Sequence, residues 1–387
     1  YLDTVNNVAH VGHENYNIVY PAQRQLAYLN TNTRYLSNHI VDYADKLLET
    51  FPKKLSVVHF TNSGSEANEL ALRMAETYSK RKNMLAVEVG YHGNTGRVID
   101  VSSYKFDSSG GSGKPENTYL LPLPDKLRGK FTGDDSQKNY IDHAVKYIKK
   151  LANEGVKLAG FIHESILSCG GQIVLPEGYL QAVYKAVRAQ GGVCIADEVQ
   201  VGFGRTGKHF WAFELQNVIP DVVVLGKPIG NGHPMGAVIC TEEIAYAFDN
   251  GMEYFNTFGG NPVSAVVGKV VLDEIENKKL QQNALLVGTY LKKGLEHMRS
   301  DFPIIADVRG HGLFLGIEFL DEAGKPDADF AYAFSEHMLS RKILISTDGP
   351  DYNVIKIKPP LTFKLEHADI LLKNIREVLA LLTLLRG

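Results

Sequence analysis

Two short apolar segments, each leading into a charged residue, constrain the fold of this chain most strongly. Residues 193–196 run directly into Asp197, and residues 222–225 run through one glycine into Lys227. Continuous apolar runs between helical segments are typical of buried parallel strands, whose carboxyl ends border the ligand crevice of an open α/β sheet. We therefore expect the acid and the lysine to face the same crevice.

An acid and a lysine in one crevice are the groups that an enzyme needs to hold pyridoxal phosphate. The lysine forms a Schiff base with the cofactor, and the acid pairs with its pyridinium nitrogen. From spacing alone, Lys227 also fits a solvated strand end. Ser63-Gly64-Ser65, between a predicted strand and a predicted helix, fits either a phosphate site at a helix N-terminus or a simple helix cap.

Composition narrows the classes of function. The 387 residues allow about two to three domains, and a net charge of −3 gives no basic field for nucleic acid. No apolar run approaches the ~20 residues of a membrane span, and no signal-peptide pattern opens the chain.

The three cysteines lack C-x-x-C spacing and the thirteen histidines lack an H-E-x-x-H pattern, so we expect no metal site. Sparse cysteines favour a reducing compartment, and we expect a cytoplasmic protein. Because the sequence starts at Tyr1 without Met, we also expect that an N-terminal segment is missing.

The alternation of strands and helices predicts an α/β protein with a mainly parallel sheet covered on both faces. We expect a large domain over residues 21–276. The remaining pattern, in the order β-β-α-β-β-α, predicts a smaller α+β domain over residues 277–387 together with residues 1–20. Residues 107–135 are rich in Gly, Ser, Pro and Asp, and they predict a long surface excursion.

Two glycine-rich strings resemble nucleotide-binding motifs, and we reject both. Residues 108–115 lack the first glycine and the final Ser or Thr of a phosphate loop, and no strand precedes them. Residues 202–207 match G-x-G-x-x-G, but they lie late in the chain rather than after the first strand. We interpret residues 202–207 as a loop shaped by the site.

Five motifs, taken in order, resemble the class-III aminotransferases, which have the type-I pyridoxal-phosphate fold with a seven-stranded-type sheet. The resemblance runs over nearly the whole chain. The motifs are NSGSEANE at 62–69, YHG at 91–93, DEVQVGFGRTG at 197–207, GK at 226–227 and TFGGNP at 257–262.

This resemblance implies a role for each residue that surrounds the cofactor ring. Lys227 would carry the cofactor as a Schiff base, and Asp197 would pair with the ring nitrogen. Tyr91 would stack on one face of the ring and Val199 would pack against the other. Gln200 would reach the ring hydroxyl.

The resemblance also implies how the phosphate is held and how the protein assembles. Gly64 and Ser65 would bind the cofactor phosphate, and Glu164 would support the site from the preceding strand. In this family Thr257 reaches the phosphate of the neighbouring subunit. The chain is therefore expected to form a homodimer with active sites at the interface.

Two positions depart from the family pattern. Many members carry E-P-x-Q-G-E and R-x-x-P-P-L, in which a glutamate and an arginine form a switchable pair and the arginine binds a substrate carboxylate. The matching residues here are Cys169 and Lys356, which cannot provide a bidentate carboxylate clamp. Local strings at residues 164–173, 251–257 and 356–360 resemble the phospho-lyase branch, whose members act on O-phosphoethanolamine or phosphohydroxylysine.

Three functions follow from these observations. The first is elimination of phosphate from a small phosphorylated amine, with release of aldehyde, ammonia and phosphate. The second is ω-amine:keto-acid transamination, and the third is a low-activity cofactor-binding domain within a larger multidomain protein. The candidate residues for substrate binding are Arg34, Tyr35, Cys169 and Lys356, although Arg34 also fits a structural hydrogen-bonding role.

Overall fold

A computed structural model describes residues 1–386 of the chain. The helices are α1 (Tyr16–Tyr28), α2 (Asn38–Leu48), α3 (Gly64–Ser79), α4 (Gly96–Ile99), α5 (Ser103–Phe106), α6 (Ser136–Asn153), α7 (Tyr179–Arg188), α8 (Glu242–Phe248), α9 (Pro262–Asn277), α10 (Leu280–Met298), α11 (Ala328–Ser340) and α12 (Leu365–Arg386). Short 3₁₀ helices span Ala212–Gln216 and Lys227–Gly230.

The strands fall into one large sheet, one smaller sheet and two short pairs. They are β1 (Leu2–Asp3), β2 (Val57–Thr61), β3 (Asn83–Val87), β4 (Thr118–Leu121), β5 (Leu158–Glu164), β6 (Ile166–Leu167), β7 (Ile173–Val174), β8 (Val193–Asp197), β9 (Val222–Leu225), β10 (Gly236–Cys240), β11 (Ile305–His311), β12 (Phe314–Phe319), β13 (Ile343–Leu344), β14 (Ser346–Asp348) and β15 (Val354–Ile357).

The large sheet has seven strands in the order β2-β10-β9-β8-β5-β3-β4. Five neighbouring strands from β9 to β4 run parallel, and β10 is antiparallel to both β2 and β9. All residues of β5, β8, β9 and β10 are buried, as expected for strands with helices on both faces. The mainly parallel seven-stranded sheet predicted from the sequence is therefore confirmed.

The smaller sheet is antiparallel, in the order β11-β12-β15-β14, and α10 and α11 pack against its strands. This arrangement confirms the predicted α+β pattern of the C-terminal region. The N-terminal segment joins the same region because β1 pairs in parallel with β13. The exact domain boundaries, 21–276 and 277–387 with 1–20, stay a prediction.

The sequence pattern missed part of the local structure. Strand β4 lies within the predicted surface excursion 107–135, where it pairs with β3 at the sheet edge. Four residues between glycine- and proline-rich stretches are too few to show a period. Helix α1 begins at Tyr16, because Asn15 caps it by accepting a hydrogen bond from the backbone N–H of Asn17 at 3.1 Å.

Two kinds of feature are absent from residues 1–386. None of the helices combines the length and the apolar character that a bilayer crossing requires. No group of three or more His, Cys, Asp or Glu side chains in this part of the chain is arranged to hold a metal ion.

Candidate active site

A pocket lies where the carboxyl ends of β5 and β8 meet the N-terminus of α3. The parallel register places Glu164, at the end of β5, opposite Asp197, at the end of β8. Lys227 directly follows the neighbouring strand β9 and its glycine, so the topology delivers all three groups to one edge of the sheet. The pocket is lined by Ser63, Gly64, Ser65, Tyr91, His92, Gly93, Glu164, Asp197, Val199, Gln200 and Lys227.

Three donors fix the buried carboxylate of Asp197. One of its oxygens, Oδ2, accepts from Asn68 Nδ2 at 2.9 Å and pairs with His92 Nδ1 at 2.8 Å. The other, Oδ1, accepts from the backbone N–H of Val199 at 3.0 Å. Asn68 also donates to the backbone carbonyl of His92 at 2.8 Å, so the two partners hold each other. This support keeps the carboxylate in one orientation toward the pocket.

Sequence reasoning did not assign a role to Asn68 or His92. Asn68 is four residues after Gly64 on α3 and therefore shares a helix face with it, which was the available signal. His92 lies between the predicted ring contact Tyr91 and a glycine, and only the folded chain shows that its ring nitrogen meets Asp197. Both residues are buried.

Lys227 has an unpaired side chain and a strained backbone. Its φ is 34°, a left-handed conformation that costs a non-glycine residue about 1–3 kcal/mol and clusters at functional sites. Among residues 1–386 its ammonium group forms no hydrogen bond or ion pair. A lysine held in this way, beside a buried carboxylate, is available to a ligand rather than to the fold.

The N-terminus of α3 offers backbone donors to an anion. The N–H groups of Gly64 and Ser65 have no hydrogen-bond partner within residues 1–386, whereas Ser63 caps the helix by accepting from Glu66 N at 3.1 Å. A Cβ at Gly64 would lie 3.0 Å from Val199 Cγ2, and one at Gly93 would lie 2.5 Å from Ser65 Oγ. Glycine is therefore required at Gly93, where a Cβ would also lie 2.9 Å from Ser65 Cα, and at Gly64 it permits a close approach to Val199.

The carboxylate of Glu66 does not compete with that anion site. It accepts from the backbone N–H of Asn62 at 2.6 Å and from Asn256 Nδ2 at 3.1 Å. These donors satisfy the negative charge and connect α3 to the segment that carries Thr257.

Glu164 and Gln200 belong to one hydrogen-bonded chain. The backbone N–H of Tyr91 donates to Glu164 Oε1 at 3.1 Å, and the N–H and hydroxyl of Ser168 donate to Glu164 Oε2. Gln200 Nε2 then donates to Ser168 Oγ at 2.7 Å. Burial raises the pKa of Glu164 above its ordinary value. The chain fixes the backbone of Tyr91, whose ring packs edge-on against Tyr104.

The two positions that depart from the family pattern do not line this pocket. Burial raises the pKa of the Cys169 thiol to about 12, so the group is neutral at physiological pH. Lys356 Nζ lies 3.6 Å from Asp348 Oδ2. A second lysine, Lys358, also contacts Asp348, at 3.3 Å, and it is buried. Lys358 was missed from the sequence, because a lysine just after a short strand carries no local signal of burial.

Besides Cys169 and Lys356, three predicted site residues lie outside the pocket of the single chain. The Arg34 guanidinium lies over the ring of Phe255, 4.4 Å from its centroid, and Tyr35 is exposed. Thr257 is also exposed. Their roles toward a substrate or a neighbouring subunit stay predictions.

Comparisons with known proteins show the family. The model of the class-III aminotransferases matches residues 1–379. The "alanine–glyoxylate aminotransferase 2-like" protein of Drosophila melanogaster is 48% identical over 98% of this chain and 78% of its own length. The "ethanolamine-phosphate phospho-lyase homolog 1" of Caenorhabditis elegans is 37% identical over 94% of this chain and 81% of its own.

Solved structures agree with this fold. A phospholyase from Arthrobacter, solved in complex with phosphoethanolamine, is 38% identical, with a TM-score of 0.93 over 98% of this chain and 90% of that one. A transaminase from the marine bacterium Virgibacillus has a TM-score of 0.90 at 24% identity, which shows the fold alone. The chain belongs to the class-III aminotransferase family and is a pyridoxal-phosphate-dependent enzyme with the type-I fold.

Proposed function

We propose that this enzyme eliminates phosphate from a small phosphorylated primary amine resembling O-phosphoethanolamine. The overall reaction consumes one water and releases an aldehyde, ammonia and phosphate. One observation carries the proposal. Where many family members place a glutamate–arginine pair for a substrate carboxylate, this chain has the neutral thiol of Cys169 and the ammonium group of Lys356, which contacts Asp348.

The residues of the pocket fit pyridoxal phosphate. The buried carboxylate of Asp197, oriented by three donors, would hold a protonated ring nitrogen. The free N–H groups of Gly64 and Ser65 would bind the phosphate, in a cradle that a Cβ would fill. Tyr91 and Val199 line the space that the ring would occupy. When bound, pyridoxal phosphate supplies an electron sink for the carbon next to the substrate amine.

Lys227 is the group that would move the proton. Its Nζ has no partner within residues 1–386, so nothing in the described fold competes for that lone pair once the amine is neutral. We assign it the removal of a proton from the carbon that carries the substrate amine. The geometry of this step is common to elimination and transamination, so Lys227 and Asp197 do not choose between the two outcomes.

The choice depends on what the substrate presents next to that carbon. A planar bidentate partner binds the carboxylate of a keto or amino acid with the most specific geometry, whereas a lysine acts as a point charge. Lys356 shares its neighbour Asp348 with the buried Lys358, so two ammonium groups surround one carboxylate. The resulting excess of positive charge favours a phosphate group near the site.

The comparisons support the same proposal without deciding it. The Arthrobacter phospholyase was solved with phosphoethanolamine, and the Caenorhabditis elegans relative is named as a phospho-lyase homologue. A second candidate is ω-amine:keto-acid transamination. It is favoured by the aminotransferase names of the Drosophila relative and of an Arabidopsis thaliana relative that is 42% identical over 96% of this chain.

A product assay with O-phosphoethanolamine separates these functions. We expect phosphate and aldehyde to be released in equal amounts without any keto acid, and Lys227→Ala to abolish both products. Keto acid consumed in step with the amine, with no phosphate, would establish the transaminase instead. No product under either condition, from protein that carries the cofactor, would support the third candidate, a low-activity cofactor-binding domain of a larger protein.

We propose a homodimer in which Thr257 serves the partner's site. The region around α1 and the segment with Thr257 exposes large apolar side chains, as expected for a surface that a second copy covers. These side chains are Tyr16, Tyr20, Leu26, Tyr28, Leu36, Met252 and Phe258. The molecular mass in solution, measured by light scattering, tests the assembly.

The cytoplasmic location expected from the cysteines stays a prediction. The names of the Arabidopsis thaliana relative and of a Homo sapiens relative, 38% identical over 83% of this chain, include "mitochondrial". A fluorescent fusion of the full-length protein, imaged with organelle markers, tests the location.

A further inference from the structure

The side-chain amide of Gln200 is held by three groups. Its Oε1 accepts from Asn7 Nδ2 at 2.9 Å and from Lys358 Nζ at 3.3 Å. Its Nε2 donates to Ser168 Oγ at 2.7 Å, and the Ser168 hydroxyl in turn donates to Glu164. Because an amide nitrogen carries two hydrogens, one N–H of Gln200 remains for the pocket that this residue lines.

These partners differ in how strongly they dictate the orientation of the amide. Asn7 has an amide of its own, which can rotate to present either a donor or an acceptor. The Ser168 hydroxyl donates its one hydrogen to Glu164, so it can donate to Gln200 only when Glu164 is protonated. Lys358 carries only donors, so it tolerates the oxygen of Gln200 and excludes its NH₂ group. The ammonium of Lys358 is therefore the one partner of these three whose preference does not depend on the state of another side chain.

The surroundings of Lys358 hold its ammonium in place. Its side chain is buried and lies over the ring of Phe314, 4.7 Å from the centroid. The titratable groups that face it are Asp348, Lys356 and Cys169. Burial lowers the pKa of Lys358 below its ordinary value, and the hydrogen bond that Lys358 donates to Asp348 at 3.3 Å opposes this shift.

We propose that Lys358 is a positioning residue that fixes the amide of Gln200 with its oxygen turned away from the cofactor and one N–H turned toward it. The proposal depends on the placement of Gln200 at the ring hydroxyl, and not on the choice between elimination and transamination. Lys358 would thus belong to the site although it acts on the cofactor only through the side chain of Gln200.

Both groups that hold the oxygen of Gln200 come from outside the seven-stranded sheet. Lys358 directly follows β15 of the smaller sheet, and Asn7 belongs to the N-terminal segment. The two segments are tied together, because the backbone N–H of Lys358 donates to the carbonyl of Thr4 at 2.7 Å. Docking of the smaller sheet and the N-terminal segment therefore completes the cofactor site.

The orientation has a spectroscopic consequence. An N–H donor at the ring oxygen, with an ammonium group behind it, stabilises negative charge on that oxygen. The same groups oppose the uptake of a proton by the neighbouring nitrogen that links the cofactor to Lys227. The visible absorbance of the resting enzyme changes with pH, and this change has a midpoint. Lys358 should therefore lower the pH of that midpoint.

The test is a pH titration of the visible band of cofactor-loaded enzyme without substrate. Lys358→Met should raise the midpoint by about 0.5 pH unit or more. Lys358→Arg, which still carries only donors, should keep the midpoint close to that of the wild type. If Lys358→Met does not fold, Lys358→Gln serves, because its amide presents either a donor or an acceptor and so removes the directional constraint. An unchanged midpoint in the folded variant would overturn the proposal.

Two controls separate orientation from charge. Lys356→Met removes the other lysine beside Asp348 but leaves the contacts of Gln200 intact, and it should shift the midpoint by less than half as much. In a Gln200→Met background, Lys358→Met should add less than half of the shift that it causes in the wild type. An equal shift in either control would show that charge alone acts and would refute positioning through Gln200. A normal titration without phosphate release would refute only the proposed elimination.

Discussion

Replacing Glu198 with glutamine should remove a pH-dependent loss of stability from this enzyme. Glu198 follows Asp197 in the sequence, but its carboxyl group binds other partners and is fully buried. It accepts from the Ser165 hydroxyl at 2.5 Å and from the backbone N–H groups of Ala212 and Phe213 at 2.8 and 2.9 Å. Burial raises its pKa from 4.5 to about 7.

The sign follows from proton uptake. Between pH 4.5 and 7 the folded protein keeps the proton that the unfolded chain loses, so stability falls as the pH rises through this range. The loss in the free energy of unfolding is absent below pH 4.5 and complete above about pH 7, where it reaches about 3 kcal/mol. Glutamine cannot ionise. Its NH₂ group, however, faces at least one hydrogen-bond donor without an acceptor between them, and this mismatch lowers the free energy of unfolding by about 1–3 kcal/mol at every pH.

Thermal unfolding midpoints of the cofactor-loaded wild type and Glu198→Gln, measured from pH 5 to pH 8, provide the test. The variant should be less stable than the wild type at pH 5 and should gain on it steadily as the pH rises. Glu177→Gln, at an exposed position, is the matched control and should follow the wild type throughout. A stability difference between Glu198→Gln and the wild type that stays constant with pH would refute the reasoning.

Three further predictions concern the cofactor, the assembly and the fold. Lys227→Ala should abolish the visible absorbance band that depends on its covalent link to the cofactor, and a band that survives would remove Lys227 from that role. Mixed dimers of inactive Lys227→Ala and inactive Thr257→Ala subunits should regain activity if Thr257 acts across the interface, whereas either variant alone stays inactive. Arg205→Lys should lower the free energy of unfolding by about 2 kcal/mol in denaturant titrations, because one ammonium group cannot replace the bonds from the buried guanidinium to the carbonyls of Leu313 and Pro359; an unchanged midpoint would contradict this.

The sequence pattern predicted the main elements well where a segment was long or continuously apolar. The buried strands β8 and β9 agree with the structure. The C-terminal region keeps the predicted alternation, except that three strands, β13, β14 and β15, lie between its last two helices where two were predicted. Strand β4 was missed because it has only four residues and lies at a sheet edge. Such short strands are stabilised by a neighbouring strand rather than by their own periodicity.

For the candidate site, the pattern placed Asp197 and Lys227 at adjacent strand ends because apolar runs fix where a parallel strand stops. The motif resemblance supplied Gly64, Ser65, Tyr91, Glu164, Val199 and Gln200, and the structure brings all of them to one pocket. Their roles toward the cofactor await experiment. Thr257 and Arg34 lie outside that pocket, since the contacts expected of them need a second subunit or a substrate.

The sequence by itself determined the sheet, the strand ends and therefore the pairing of an acid with a lysine, because hydrophobic periodicity is a local property of the chain. Only the tertiary structure decided what supports them. Asn68 and Asp197 are 129 residues apart, and Lys358 and Gln200 are 158 apart. Such contacts depend on how α3 packs on one sheet and how the other sheet docks beside it. No local pattern records that docking, because it follows from the burial of surfaces contributed by distant segments.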